Sequence, residues 1–139
     1  ALSHVAGYVI LNDVSERDFQ KNRAGQFTKG KSCDTFCPIG PWFVTADEIA
    51  DPQNLTLRTL VNGEVRQNGR SSDMLHSVAK LVSYLSQFMS LLPGDIIASG
   101  TPDGVGAGMK PPQFLKAGDE IVMSIDGLGE QRARLVADR

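Results

Sequence analysis

Apolar residues recur along this chain with two different periods, and the period decides the element. Residues 55–60 and 65–67 are β-prone and flank Val61-Asn62-Gly63-Glu64, where Asn-Gly supplies the positive φ angles of a tight hairpin turn. The same logic applies near the carboxyl end, where residues 120–125 and 131–136 flank Asp126-Gly127-Leu128-Gly129 and predict a closing hairpin. Between the two hairpins, Leu75, Val78, Val82, Leu85 and Met89 recur at helical spacing until Pro93-Gly94 stops the run. Ser71, Ser72 and Asp73 precede it with side chains suited to capping. One long amphipathic helix is predicted there.

Residues 5–14 are mostly apolar and β-prone, interrupted at Gly7, and read as a strand buried on both faces that ends at Asn12-Asp13. A polar side chain closing such a strand is presented at the sheet's edge. Residues 15–20 suggest a short helical turn, followed by a polar loop up to Lys31. Residues 41–45 suggest a second short strand, with Thr45-Ala46-Asp47-Glu48 as a helix-start cap. Residues 95–99 suggest another strand, which leads into a glycine-rich loop at 100–108. The sum is a strand-rich α+β fold with one principal helix and no internal repeat.

Composition narrows the picture without changing it. A chain of 139 residues can bury a core as one domain without disulfides or structural metal. With 41% hydrophobic and 22% charged residues and no long uncharged apolar run, it reads as a globular protein that does not span a membrane. The formal net charge is -2, with Lys and Arg scattered among Asp and Glu, which disfavours nucleic acid or an anionic membrane as partner. Cys33 and Cys37 have no His cluster or further cysteine pair to complete a zinc pattern, so reduced thiols of a cytoplasmic protein are expected. The first residues show no signal-peptide succession and enter a strand without an initiator Met. They read as the middle of a protein.

Three stretches could carry chemistry. In Asn12-Asp13-Val14-Ser15-Glu16-Arg17-Asp18-Phe19-Gln20, a carboxylate ends a hydrophobic strand and a helical turn sets Arg17 and Gln20 on one face. Such a group can hold a hard divalent cation and orient an anion beside it. Equally, Asp13 can cap the turn while Arg17 pairs with Asp18 or Glu16. In Gly30-Lys31-Ser32-Cys33-Asp34-Thr35-Phe36, a lysine after a flexible glycine enters a segment stiffened by Pro38 and Pro41. It can be fixed where it stabilises an enolate or carboxylate, or it can be a solvated surface lysine. In Ser99-Gly100-Thr101-Pro102-Asp103-Gly104-Val105-Gly106, backbone N–H groups and the Thr101 hydroxyl can cradle an anion. The stretch lacks the Lys-Ser/Thr ending of a P-loop, which disfavours nucleotide binding.

Taken in order, these stretches resemble the catalytic domain of the fumarylacetoacetate hydrolase family. The resemblance includes Asn-Asp-x-Ser-x-Arg-Asp-x-Gln, Gly-Lys-Ser-x-Asp-Thr-Phe-x-Pro-x-Gly-Pro, Val-Asn-Gly-Glu, Leu-x-Pro-Gly-Asp-x-Ile, Gly-Thr-Pro-x-Gly-Val-Gly and the late Gly-Asp with Gly-Leu-Gly. It spans nearly the whole chain, and implies a mixed β-roll or β-sandwich fold in a homodimer. It further implies that Asp13 is a ligand of catalytic Mg²⁺ or Mn²⁺ and that Gln20 touches substrate. Lys31 is implied to lie beside the metal-bound oxygens, and Thr101, with the backbone around Gly100, to bind the substrate carboxylate. Arg17 is expected to brace Asp13 through a buried ion pair, with Asp18 sharing that work. Glu16 replaces a small residue often found there, a surface change of little expected consequence.

The family's Glu-x-Glu metal ligands and its His-Glu dyad have no counterpart here, because Asp13 is the first acidic residue and neither His4 nor His76 sits at the catalytic position. Residues 1–139 are therefore expected to be the catalytic domain without its amino-terminal part. The implied reaction is metal-dependent cleavage of a carbon–carbon bond in a 2,4-diketo acid, an acylpyruvate or a 3-deoxy sugar acid, with release of pyruvate. The stretch from Lys31 to Trp42 most resembles the branch acting on 2,4-dioxo-3-deoxy sugar acids, some of whose members are labelled ureidoglycolate lyase. The alternatives are isomerisation or decarboxylation of 2-oxo-dienoic acids in aromatic catabolism, or a non-catalytic binding or scaffold role.

Overall fold

The computed structural model describes residues 1–137. In chain order its regular elements are β1 (Gly7–Tyr8), α1 (Arg17–Lys21), β2 (Val44–Thr45), β3 (Thr56–Val61), β4 (Glu64–Arg70), α2 (Val78–Leu85), β5 (Glu120–Ile125) and β6 (Gly129–Arg134), with short 3₁₀ turns between them. β1 and β2 pair antiparallel as a small ladder. The other four strands form one antiparallel sheet in the order β4-β3-β5-β6. This is the strand-rich α+β architecture expected from the patterning.

Both predicted hairpins form. Asn62 and Gly63 take φ of 51° and 82°, the left-handed values a tight primed turn requires, and Val61 faces Glu64 across it. Asn62 also joins this turn to β5: its carboxamide donates to Asp119 and accepts from the Glu120 N–H, each at 2.9 Å. At the second hairpin, Asp126 accepts from the Thr56 N–H at 2.9 Å, which ties the turn to the start of β3. Leu128, in that turn, is only 3% exposed and joins Ile10, Val44 and Ile49 in the core, with Tyr8, Leu55, Met123 and Ile125 packed around them.

Several expectations are corrected. Residues 5–14 are not a strand buried on both faces: only Gly7–Tyr8 is laddered and, of the run, only Ile10 is buried. Beyond it the chain pairs with an irregular segment, through Gly40 N–H to Ile10 C=O and Asn12 N–H to Pro38 C=O, both at 3.0 Å, and an isolated bridge of Leu11 with Ile39. The second strand is shorter than residues 41–45, and the turn at Ala46–Glu48 lacks a side-chain cap. The principal helix is not long, since α2 has eight residues. Ser71–Asp73 form a separate 3₁₀ turn, Ser77 caps the helix, and Leu75 is 96% exposed. Gln53 fixes that start from outside, accepting from the Val78 N–H at 2.7 Å while donating to the Ser71 carbonyl at 2.9 Å. His76 precedes the helix. Finally, residues 95–99 are unpaired among the described residues, although the sequence is β-prone.

The chain exposes 9633 Å². A compact monomer of this mass exposes about 7,000 Å². Large apolar side chains are exposed along the chain, among them Phe27, Trp42 and Phe43 before α2 and Phe88, Met89, Leu92, Ile96 and Phe114 after it. Among the described residues, no helix is long and apolar enough to cross a membrane.

Candidate functional site

Asp13 and Lys31, eighteen residues apart, meet as an ion pair of 2.5 Å between Lys31 Nζ and Asp13 Oδ2. Two local devices bring them together. The first is the extended run after Ile10, held to residues 38–40 by backbone hydrogen bonds, which delivers Asp13 to its end. Ser15 then fixes the corner, donating through its hydroxyl to the Asp13 carbonyl at 3.1 Å. The second is the packing of the 3₁₀ turn Thr28–Gly30 on α1. The Gly30 carbonyl accepts from the Glu16 N–H at 2.8 Å, and a side chain at Gly30 would lie 2.7 Å from the Glu16 carbonyl and 2.8 Å from Gln20 Cβ. Glycine is required here for close approach and not for flexibility, a correction to the sequence reading.

Lys31 follows this pinned glycine, so its ammonium reaches Asp13 from a fixed base. The side chains are 29% and 51% exposed respectively, and a pair this wet contributes about 0–1 kcal/mol to stability. Its value is positional. It sets a cation against a carboxylate that solvent and ligands can reach.

The other residues around α1 form separate contacts. Arg17 donates to Gln20 Oε1 at 2.6 Å, the neighbour one turn along the helix. The expected Arg17–Asp13 ion pair is not formed among the described residues, where Asp13 pairs with Lys31. Gln20 is 1% exposed, and its Nε2 is buried without a hydrogen-bond partner among the described residues. The Asn12 amide nitrogen is buried and unpartnered in the same way.

Asp18 does not share in bracing Asp13. It accepts from Asn22 at 3.0 Å and from Arg23 at 2.8 Å, and these bonds, Asn22's first, hold its carboxyl below the usual range. Glu16, read from sequence as inconsequential, is the N-cap of α1 and accepts from the Asp18 N–H at 2.9 Å. Cys33 and Cys37 are free thiols.

Thr101 lies in a different contact group. Gln67 on β4 donates through Nε2 to Thr101 Oγ1 and to the Pro102 carbonyl, both at 2.9 Å. Gly100 beside it takes φ of 111°. Asp13, Arg17, Lys31, Gly100 and Thr101 all border one concavity of about 3670 Å³, whereas Gln20 does not. That volume exceeds an ordinary ligand pocket several-fold, so it is an open face and its shared lining does not establish proximity. Among the described residues, no group of three or more His, Cys, Asp or Glu side chains is placed to hold a metal ion. Sequence reasoning missed Gln67, which the alternation of the first hairpin places on one face of β4.

A strand-rich α+β domain with an acid–lysine pair at the end of an extended run defines a class, and comparison with known proteins names it. The family described as fumarylacetoacetate (FAA) hydrolase, C-terminal, matches residues 1–136. The chain belongs to that family. It is 58% identical over 132 residues to a Burkholderia ambifaria protein provisionally named a hydrolase, covering 94% of this chain and 47% of that protein.

Among solved structures, a fumarylacetoacetate hydrolase of Exiguobacterium antarcticum is 49% identical with a TM-score of 0.94, over 99% of this chain and 49% of that one. A 2-hydroxyhepta-2,4-diene-1,7-dioate isomerase of Mycobacterium marinum is 47% identical with a TM-score of 0.86, over 98% and 50%. A maleylpyruvate hydrolase of Sphingobium sp. SYK-6, solved with manganese(II) and pyruvate, is 37% identical with a TM-score of 0.82, over 96% and 45%. The chain spans about half the length of the curated relatives it matches.

Proposed function

We propose that this chain furnishes part of the active site of a divalent-metal-dependent hydrolase that cleaves a carbon–carbon bond of a 2,4-diketo acid, of acylpyruvate or 3-deoxy sugar-acid type, and releases pyruvate. The observation that carries the reading is the Asp13–Lys31 pair at 2.5 Å. An accessible carboxylate is the hard oxygen donor that Mg²⁺ or Mn²⁺ prefers, and Asp13 Oδ1 accepts no hydrogen bond among the described residues. Asp13 thus fits as one ligand, with further ligands contributed by polypeptide outside residues 1–139. The manganese and pyruvate of the Sphingobium relative support this choice of metal and product class.

When bound, the ion supplies Lewis acidity toward the oxygens of a 2-oxo acid. Lys31 places a second positive charge beside the same carboxylate, where it stabilises negative charge developing on the keto oxygen. Asp13 holds that ammonium in place. Thr101 and the backbone around Gly100 bind the substrate carboxylate, and Arg17 holds the carboxamide of Gln20, its neighbour on α1. In the reaction, water adds to the carbonyl at carbon 4 and the bond between carbons 3 and 4 breaks. The electron pair passes to carbon 3, which takes a proton as pyruvate forms, while the other fragment leaves as a carboxylic acid. The working enzyme is a cytoplasmic homodimer in this reading, a proposal supported by the exposed apolar face after α2.

Replacing Asp13 by Ala in the natural full-length polypeptide is expected to abolish metal-dependent pyruvate release, measured with a coupled assay across several diketo acids. An unaltered rate overturns the assignment of Asp13. The second reading is isomerisation of a 2-hydroxy-dienoic acid through the same stabilised enolate, favoured by the 47% identity to the Mycobacterium marinum isomerase. Conversion of a dienoate without pyruvate release would select it.

A further inference from the structure

We infer that Gln67 is a positioning residue that polarises the Gly100-Thr101-Pro102 loop, turning the Thr101 hydroxyl into a hydrogen-bond donor for a carboxylate. The inference rests on the proposed role of Thr101 in binding substrate. The carboxamide of Gln67 has two N–H groups, and its nitrogen lies 2.9 Å from both Thr101 Oγ1 and the Pro102 carbonyl oxygen. A carbonyl oxygen only accepts, so the Gln67 nitrogen, not its oxygen, faces the loop. Thr101 Oγ1 therefore receives a hydrogen bond from Gln67. A hydroxyl has one proton to give, and Thr101 gives its own to no acceptor among the described residues. That proton is available to a ligand, and Thr101 is exposed.

The loop is held against β4 at a second point. Gly69 lies two residues beyond Gln67, on the same face of the strand, and a side chain there would lie 2.7 Å from Pro102 Cβ. β4 is thus a platform on which the loop rests, with Gln67 setting the sense of its hydrogen bonding. A hydroxyl that accepts one hydrogen bond from Gln67 and keeps its proton free is oriented to donate to an anion. Gln67 holds Thr101 Oγ1 directly, so in this inference its effect passes through that hydroxyl.

The test uses the natural full-length polypeptide with Mg²⁺ and pyruvate as the probe, its affinity measured by calorimetry, in Thr101→Val, Gln67→Met, the double variant and Gln67→Glu. Thr101→Val is expected to weaken pyruvate about ten-fold, as for a hydrogen bond to a charged group. Gln67→Met, which keeps side-chain length and removes the amide, is expected to weaken it by about three- to ten-fold. Combined with Thr101→Val it should add nothing, because its target is already gone. Gln67→Glu should weaken pyruvate more than Gln67→Met does, since a carboxylate accepts the hydroxyl proton and repels the ligand. Comparable weakening by Gln67→Met in both Thr101 backgrounds, or none in either, overturns the inference while leaving the Thr101 site standing. Unchanged affinity in Thr101→Val overturns the site itself.

Discussion

The four-stranded sheet and the stretch from residue 86 to 117 both contain many apolar residues and end up differently. In the sheet, β3 has a partner on each edge, and the turns carry side chains that bind the neighbouring strand, as Asn62 does to Glu120 and Asp126 to Thr56. After α2, residues 95–99 form no regular element and are mostly exposed, with no ladder partner among the described residues, and Phe88, Leu92 and Ile96 are exposed. The difference is one of available edges. A hairpin brings its own partner through a two-residue turn, whereas a lone β-prone segment forms a strand only when some other backbone presents an unpaired row of N–H and C=O groups.

The largest expected effect lies in the core that the sheet shares with the amino-terminal run. Ile10 is fully buried, so Ile10→Ala is expected to cost about 2–5 kcal/mol in urea unfolding. Leu92 is 66% exposed, so Leu92→Ala in this chain should change stability by less than about 0.5 kcal/mol. Similar costs at the two positions would erase the contrast between the regions.

A second measurement sharpens it. Amide hydrogen exchange on this chain is expected to show strong protection at residues 57–60, which are laddered on both sides, and little at residues 96–99. Equal protection of the two segments would show that residues 96–99 find a partner.

Legibility followed the same division. The hairpins could be read because Asn62-Gly63 and the 126–129 turn encode their own pairing within a few residues. The helix was overread, because Leu75 and Met89 fit its spacing while Gln53, more than twenty residues upstream, binds Met74 before the helix and the Val78 N–H in its first turn and so helps fix where it begins. Leu128 was placed in a turn, correctly, but nothing local shows that a turn residue is also core. At the site, Asp13 and Lys31 could be named as candidates but not as a pair, since their contact depends on Gly30 packing against Glu16 and Gln20. Arg17 was expected, from the family resemblance, to pair with Asp13; the helix instead gives it Gln20, one turn away.

The smallest expected effect concerns acid. Hydrogen bonds from Thr56 hold the Asp126 carboxyl below its usual range, and those from Asn62 and the Lys116 N–H do the same for Asp119. A carboxyl whose folded-state pKa is depressed adds stability above the unfolded-state value of about 3.9, and that stability fades as pH falls through the folded-state pKa. Both groups sit at the ends of the sheet's strands, so acid should loosen the sheet's turns. Asp126→Asn removes one titrating group while keeping the side chain's size, and should make the unfolding midpoint fall less steeply below about pH 4 than in the parent chain. Parallel pH profiles for the two proteins would show that the Asp126–Thr56 bond does not link protonation to the fold.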